Sequence, residues 1–218
     1  MLSRKTPLVW LLACLTALLL LCANAFGQDM PLWISEVKTF QKNDQINSSS
    51  KWLQIRVCIE SANNPNPNAM NKDYFERVTV EPIFAWGSKR QGNFSIEAAF
   101  SSKVEISAMK VRSKRYVYFY LPPEVVDMWR LRSSMPDFYY IGLTYDGVQV
   151  KPNAKSVPTV MADTIKDPAV LESFKQFCAE KTARTKGILL PHNLAPWFFY
   201  QSGSVDKDTT VLTNPAAQ

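Results

Sequence analysis

The chain has 218 residues, of which 46% are hydrophobic and 20% are charged, and its net charge at pH 7 is +6. This length suits one domain of ordinary size. The mild positive charge favours weak attraction to acidic surfaces and gives no reason to expect a nucleic-acid partner. The chain has only seven glycines, and no glycine-rich phosphate loop is among them.

The N-terminus predicts export. Arg4 and Lys5 precede an apolar run from Leu8 to Cys22, and an A-x-A cleavage signal ends at Ala25. This layout is that of a secretory signal peptide over residues 1–25. Cleavage would remove two of the 25 basic residues and none of the 19 acidic ones, which leaves a net charge of +4. We expect the mature protein in the periplasm, at the outer membrane or at the cell surface, with no further membrane span.

The mature chain predicts a single mainly β domain over residues 26–205, followed by a polar tail over 206–218. In KWLQIRVCIE, apolar and polar residues alternate, which is typical of a half-buried strand. YFERVTVEPIFAW, FSIEAAF and KVEISAMKV predict further strands, with a bend or an edge position at Pro82. The Asp146-Gly147 pair in FYYIGLTYDGVQV predicts a type I′ hairpin. About seven to eight short strands in all predict an antiparallel β-sandwich.

One segment breaks the β pattern and predicts an amphipathic helix near residues 168–183. Asp167 can cap this helix, and Pro168 fits its first position. Five apolar residues share one face at helical spacing: Val170, Leu171, Phe174, Phe177 and Cys178. We expect this helix to pack on the outside of one sheet.

Cys58 and Cys178 are the two cysteines that remain after signal cleavage. In an oxidising compartment a single pair predicts one disulfide. This bond would clamp the late helix onto the sheet that carries Cys58. The alternative is a pair of buried free thiols.

The stretch KVRSKRYVYFYLPPEVVDMW, residues 110–129, predicts an extended segment, a turn and a short helix from Glu124. Its basic residues form a ladder, and its tyrosines alternate with an apolar face that must belong to the core. The ladder is either a ligand surface or a solvated hairpin end, and the tyrosines either bind a partner or lie under another element. The candidate partner or glycan surface comprises Lys110, Arg112, Lys114, Arg115, Tyr116, Tyr118 and Tyr120.

The aromatic run near the C-terminus is a second candidate partner surface. LAPWFFY places Trp197, Phe198 and Phe199 in succession. They form either an exposed apolar patch for a partner protein or a last strand that packs on the core.

The sequence predicts no enzyme, metal site or cofactor. His192 is the one histidine of the chain, its flanks are apolar and rich in proline, and no G-x-S-x-G elbow occurs. One histidine and a predicted disulfide cannot build a site of thiolates and imidazoles. A hydrolase with paired carboxylates is the alternative left open, since such pairs meet only in space.

The layout of the chain resembles verrucomicrobial secreted pilus-like proteins, which are encoded near type IV pilus machinery. The resemblance rests on the signal ending in ANAFGQ, the strands WLQIRVCIE and YFERVTVEPIFAW, the segment YVYFYLPPEVV and the late helix. It covers most of the mature chain. It implies an immunoglobulin-like β-sandwich and a cell-envelope role in pilus assembly or in the pilus.

The N-terminus departs from that of type IV pilins, which keep a long hydrophobic helix and polymerise through it. Cleavage after Ala25 would leave no such helix, so an accessory role fits better than that of a major subunit. The expected function is protein–protein contact with envelope or pilus proteins. The alternative function is a binding module for acidic glycans, sialylated or sulfated, which would use the basic ladder and the tyrosine face.

Overall fold

The computed structural model describes residues 31–44, 50–90, 93–131, 135–151, 167–196 and 212–213. The described residues from Pro31 onward belong to one compact unit. The predicted signal peptide and most of the predicted tail lie outside these ranges. No helix within them is long and apolar enough to cross a membrane.

The predicted mainly β fold is confirmed, with ten strands and two α-helices in the described ranges. The strands are β1 (Leu32–Asn43), β2 (Lys51–Ser61), β3 (Tyr74–Arg90), β4 (Asn93–Ser101), β5 (Val104–Lys110), β6 (Lys114–Leu121), β7 (Phe138–Tyr145), β8 (Val148–Gln149), β9 (Leu190–Pro191) and β10 (Leu212–Thr213). The helices are α1 (Pro123–Met128) and α2 (Pro168–Arg184), and a 3₁₀ turn covers His192–Leu194.

The strands form two antiparallel sheets that pack face to face. The four-stranded sheet has the order β1-β2-β6-β9, and the six-stranded sheet has the order β10-β5-β3-β7-β8, with β4 also paired to β3. Phe84 of β3 and Phe119 of β6 are fully buried and meet edge to face with ring centroids 6.1 Å apart. Phe84 and Phe119 therefore belong to one core that the two sheets share, as the period-2 pattern predicts.

The expected bend or edge position at Pro82 is wrong, because β3 runs through it as a central strand. On one side of β3 the partner changes from β5 at Val80 to β4 at Ile83. Ser102 N donates to Pro82 O on that same side. The N–H and C=O groups of one strand residue point to the same side of the strand. The backbone N–H that proline lacks would therefore face the β4–β5 connection. No ladder hydrogen bond is lost there.

The Asp146-Gly147 hairpin is confirmed. β7 and β8 pair directly across it through Tyr145 and Val148. Asp146 has φ of 48° and Gly147 has φ of 77°. Two successive positive φ angles are those of a type I′ turn.

The late helix packs on the outer face of the six-stranded sheet, as predicted. Its N-cap is Asp167, whose carboxylate accepts a hydrogen bond from Ala169 N at 2.8 Å. Phe174 is fully buried, with its ring 5.7 Å from that of Phe94 and 6.3 Å from that of Phe138. Phe177 differs from the prediction, because it lies at the margin of the helix's apolar face and is 48% exposed.

The predicted disulfide is wrong, since Cys58 and Cys178 are both free and buried. Cys58 pairs with Glu36 and Tyr116 on the outer face of the four-stranded sheet, whereas Cys178 lies on the buried side of α2, outside the other sheet. The sandwich core separates the two sulfur atoms. Burial raises the pKa of both thiols, that of Cys178 to about 12, so both stay protonated at neutral pH.

Candidate interaction surface

A turn between the two sheets breaks the predicted basic ladder. Lys110 ends β5 in one sheet and Lys114 begins β6 in the other, so they do not share one face of an extended segment. Arg112 in the turn has φ of 53° and donates from Nε to Asn63 Oδ1 at 2.9 Å. This correction reflects a change of sheet, which residue alternation alone does not reveal.

Lys114 already has an anionic partner in the structure. Its Nζ lies 2.7 Å from Glu60 Oε1 on the neighbouring strand. This hydrogen bond lowers the pKa of Glu60 and raises that of Lys114. Lys110 and Arg112 are exposed and Arg115 is half-buried. Ligand binding by these four residues stays a prediction.

The tyrosine face lies under another element, which is one of the two alternatives above. Tyr118 is 8% exposed and Tyr120 is 1% exposed, and both pack in a cluster with Trp52 and Ala195. Of the three predicted tyrosines, Tyr118 and Tyr120 are buried and Tyr116 is half-buried. The predicted surface residues Trp197, Phe198 and Phe199 lie outside the described residues.

The remaining open part of that face is occupied by a stacked arginine. The Arg56 guanidinium lies 5.0 Å from the ring centroid of Phe40 and 5.0 Å from that of Tyr116. Its Nη2 also lies 2.6 Å from Glu36 Oε2. Hydrogen bonds from Lys38 and Arg56 lower the pKa of Glu36. These contacts join β1, β2 and β6, so we assign Arg56 a structural role.

His192 belongs to a buried hydrogen-bond chain. It is 2% exposed, and its Nδ1 lies 3.1 Å from Tyr120 Oη. Gln54 Nε2 donates to the same hydroxyl at 2.9 Å, so Tyr120 Oη lies between Gln54 and His192. Burial lowers the pKa of His192, so the imidazole is neutral at pH 7. These hydrogen bonds hold the segment after β9 against the four-stranded sheet.

Replacement of His192 by Gln should remove part of the acid sensitivity of the fold. Because the folded pKa is lowered, the unfolded chain binds the proton first, and stability is lost as the pH falls below about 6.5. In the parent protein, protonation of this group lowers the free energy of unfolding by up to about 1.4 kcal/mol per pH unit. Urea unfolding of both proteins at pH 7.5 and pH 5.0 measures the difference. Equal pH dependence in the two proteins would contradict the lowered pKa.

A surface that the sequence did not predict lies where α2 and Trp129, the residue after α1, border β4. It comprises Trp129, Phe177, Lys181 and Arg184, and we name it the helix-side patch. Trp129 is 39% exposed and Phe177 is 48% exposed. A groove of about 160 Å³ separates Trp129 from Lys181 and Arg184, with Ala98 and Ala99 in its lining.

The geometry of the helix-side patch follows from the elements that carry it. Phe177 and Lys181 are one helical turn apart on α2, so they are neighbours on its surface. Phe177 rests on Phe94 with ring centroids 6.1 Å apart, and Thr185 Oγ1 donates to Ala99 O at 2.6 Å. The patch is therefore held on rigid elements. An aromatic residue directly after a short helix, as in DMW, was the only sequence signal for it.

Comparisons with known proteins found a similar crystal structure and no matching family. No protein-family model matches the chain, and no curated protein is similar to it. A crystal structure from Akkermansia muciniphila is similar, with a TM-score of 0.41 and 15% sequence identity. The match covers 55% of this chain and 66% of that chain, just under two thirds of the matched structure. A likeness at this TM-score carries no argument about function.

Proposed function

We propose that this protein is a non-enzymatic component of the bacterial cell envelope that binds another protein during pilus assembly or on the pilus. The helix-side patch is the observation that supports protein binding. The assignment to the cell envelope and to pili rests on the sequence resemblance alone. The proposal includes no cofactor.

The composition of the helix-side patch supports binding to a protein. Tryptophan and arginine are the residues most enriched among interface positions that dominate binding energy. Trp129 lines the groove, which is the shape that receives a partner's side chain, and Phe177 presents ring surface one helical turn before Lys181 of the same groove. Apolar surface left in water at such a site lowers the free energy of association when it is covered.

The charges of the helix-side patch indicate the chemistry of the partner. Lys181 and Arg184 bring two positive charges to the groove, and Glu97, which also lines it, brings one negative charge. Arg184 also pairs with Glu180 one turn earlier on α2. Both members of that pair are exposed, so the pair is weak and can exchange for a partner carboxylate. The patch fits an apolar segment with acidic residues.

Truncation of the two aromatic rings should abolish partner capture while the fold is kept. We expect Trp129→Ala and Phe177→Ala each to weaken binding by about 30-fold, because each removes half-exposed ring surface that a partner would bury. The measurement is retention of pilus and other envelope proteins from the native organism on the immobilised variant. Circular dichroism and thermal unfolding verify that the variant is folded.

A matched control comes from exposed apolar side chains elsewhere. Met70 and Val148 are 90% and 56% exposed, so Met70→Ala with Val148→Ala removes comparable surface and should leave capture unchanged. An equal loss of partner capture in the Trp129→Ala and Phe177→Ala protein and in the Met70→Ala and Val148→Ala protein would contradict the assignment to the helix-side patch. If retention instead requires Lys110 and Arg112 and follows sialylated or sulfated glycans, the glycan alternative replaces this proposal.

A further inference from the structure

A second concave region lies between the β4–β5 connection and the chain that follows α2. We name it the lysine cleft, and it has a volume of about 390 Å³. Clefts that hold small ligands have volumes of about 300–1,000 Å³. The residues that matter for its chemistry are Ser101, Ser102, Lys103, Lys186, Leu190 and Leu194.

The lysine cleft carries positive charge at exposed positions. Lys103 and Lys186 are both exposed. Lys103 Nζ lies 2.8 Å from Glu81 Oε1, with both side chains about half exposed. Such a pair contributes little stability, and an ammonium group has three donors, so Lys103 can bind a second carboxylate. The cleft therefore favours an anionic group.

The rest of the cleft is apolar or carries hydroxyl groups. Leu194 is 51% exposed and offers surface for an apolar side chain. Leu190 beside it is partly buried, because it also packs against the cluster of Trp52, Tyr118 and Tyr120. Ser101 and Ser102 each have a hydroxyl that donates and accepts. A peptide main chain needs such partners for its N–H and C=O groups, whereas an acyl chain has no use for them.

We infer that the lysine cleft binds the C-terminal end of a peptide. The terminal carboxylate contacts the ammonium groups of Lys103 and Lys186, and the last side chain, an apolar one, packs on Leu190 and Leu194. The serine hydroxyls bond the main chain of the peptide. This is the capture of a terminal carboxylate by positive groups beside an apolar wall. The inference goes beyond the proposed function and uses a separate set of residues.

The test compares one peptide in two forms. The peptide Ala-Ala-Phe-Leu, with a free carboxylate or as the C-terminal amide, is titrated into the purified protein and followed by amide chemical shifts. We expect the acid to bind at least about tenfold more tightly than the amide, because the amide loses a charge-assisted hydrogen bond. Equal affinity for the two forms would overturn the inference, as would the absence of shifts with either form at millimolar concentration.

Charge reversal supplies the matched control. Lys103→Glu with Lys186→Glu should remove binding of the acid, whereas Lys110→Glu with Lys151→Glu, at exposed positions outside the cleft lining, should keep it. Loss of binding in both pairs would refute the site, because the effect would then follow net charge. Octanoate separates a peptide site from a general site for apolar anions, and affinity equal to that of the peptide would contradict the inference. The Trp129→Ala and Phe177→Ala variant should bind the peptide normally, which separates this test from that of the proposed function.

Discussion

Phe174→Ala should lower the free energy of unfolding by about 3–5 kcal/mol, the cost of a large ring removed from a closed site. Phe174 is fully buried and its ring lies against Phe94 and Phe138. These contacts join α2 to β4 and β7. The cavity left by the substitution would face the outer side of the six-stranded sheet, and rigid strands limit how far it can collapse.

Denaturant unfolding measures this loss, and hydrogen exchange over residues 168–184 reports whether the helix detaches first. Phe177→Ala is the matched control, since it removes the same side chain one turn along at a half-exposed position. We expect it to cost less than about 1 kcal/mol. A similar loss for both variants, or no loss for Phe174→Ala, would show that α2 is not anchored through Phe174.

Gly87→Ala should also destabilise the fold strongly, by about 3 kcal/mol or more. A Cβ atom at Gly87 would stand 2.1 Å from Ser95 O and 3.0 Å from the Cα of Ile96. Both are backbone atoms of the paired strand, so no side chain can rotate away. The β3–β4 register shifts at this point, and Gly87 N donates to Asp137 Oδ2 at 2.9 Å. The substitution would have to displace this shift and its hydrogen bond.

Gly142→Ala gives the matched control for this effect in the same sheet. A Cβ there would have ordinary contacts, with the nearest atom, Glu81 O, at 3.5 Å. We expect a change within about 1 kcal/mol. The midpoint and slope of the denaturant curve compare both variants with the parent protein. A Gly87→Ala protein as stable as Gly142→Ala would contradict the close approach of β3 and β4.

The local features of the fold were predictable from the sequence because each depends on neighbouring residues. The alternation in β2 and β6, the Asp146-Gly147 turn and the cap at Asp167 are all local signals. They give the type of the main elements, although the prediction of about seven to eight strands falls short of the ten in the described ranges. They also place Leu53, Val57 and Phe119 in the core.

The faces of the sandwich were not predictable in the same way. Cys58 lies on the outer face of one sheet, and the late helix packs on the outer face of the other. The sequence does not show that these are two different sheets. The turn at Arg112 sends the chain from one sheet to the other, which divides the predicted ladder. Tyr118 and Tyr120 are covered by a segment about 70 residues later, a contact between elements far apart in sequence.

The helix-side patch was not predicted, because it also brings together residues that are far apart in the sequence. Trp129 and Phe177 are separated by 48 positions in the sequence, and both lie beside β4 only through the packing of the folded chain. The apolar periodicity of α2 assigned Phe177 to the buried face. In the structure its ring contacts Phe94 and is still 48% exposed.

Site-specific photocrosslinking in living cells tests the central proposal most directly. A photoreactive residue at position 177 should give an adduct with one defined envelope or pilus protein, identified by mass spectrometry. The same residue at position 151, which is also exposed, should give none. A folded protein without an adduct at position 177, or with the same adducts from both positions, would contradict binding through the helix-side patch.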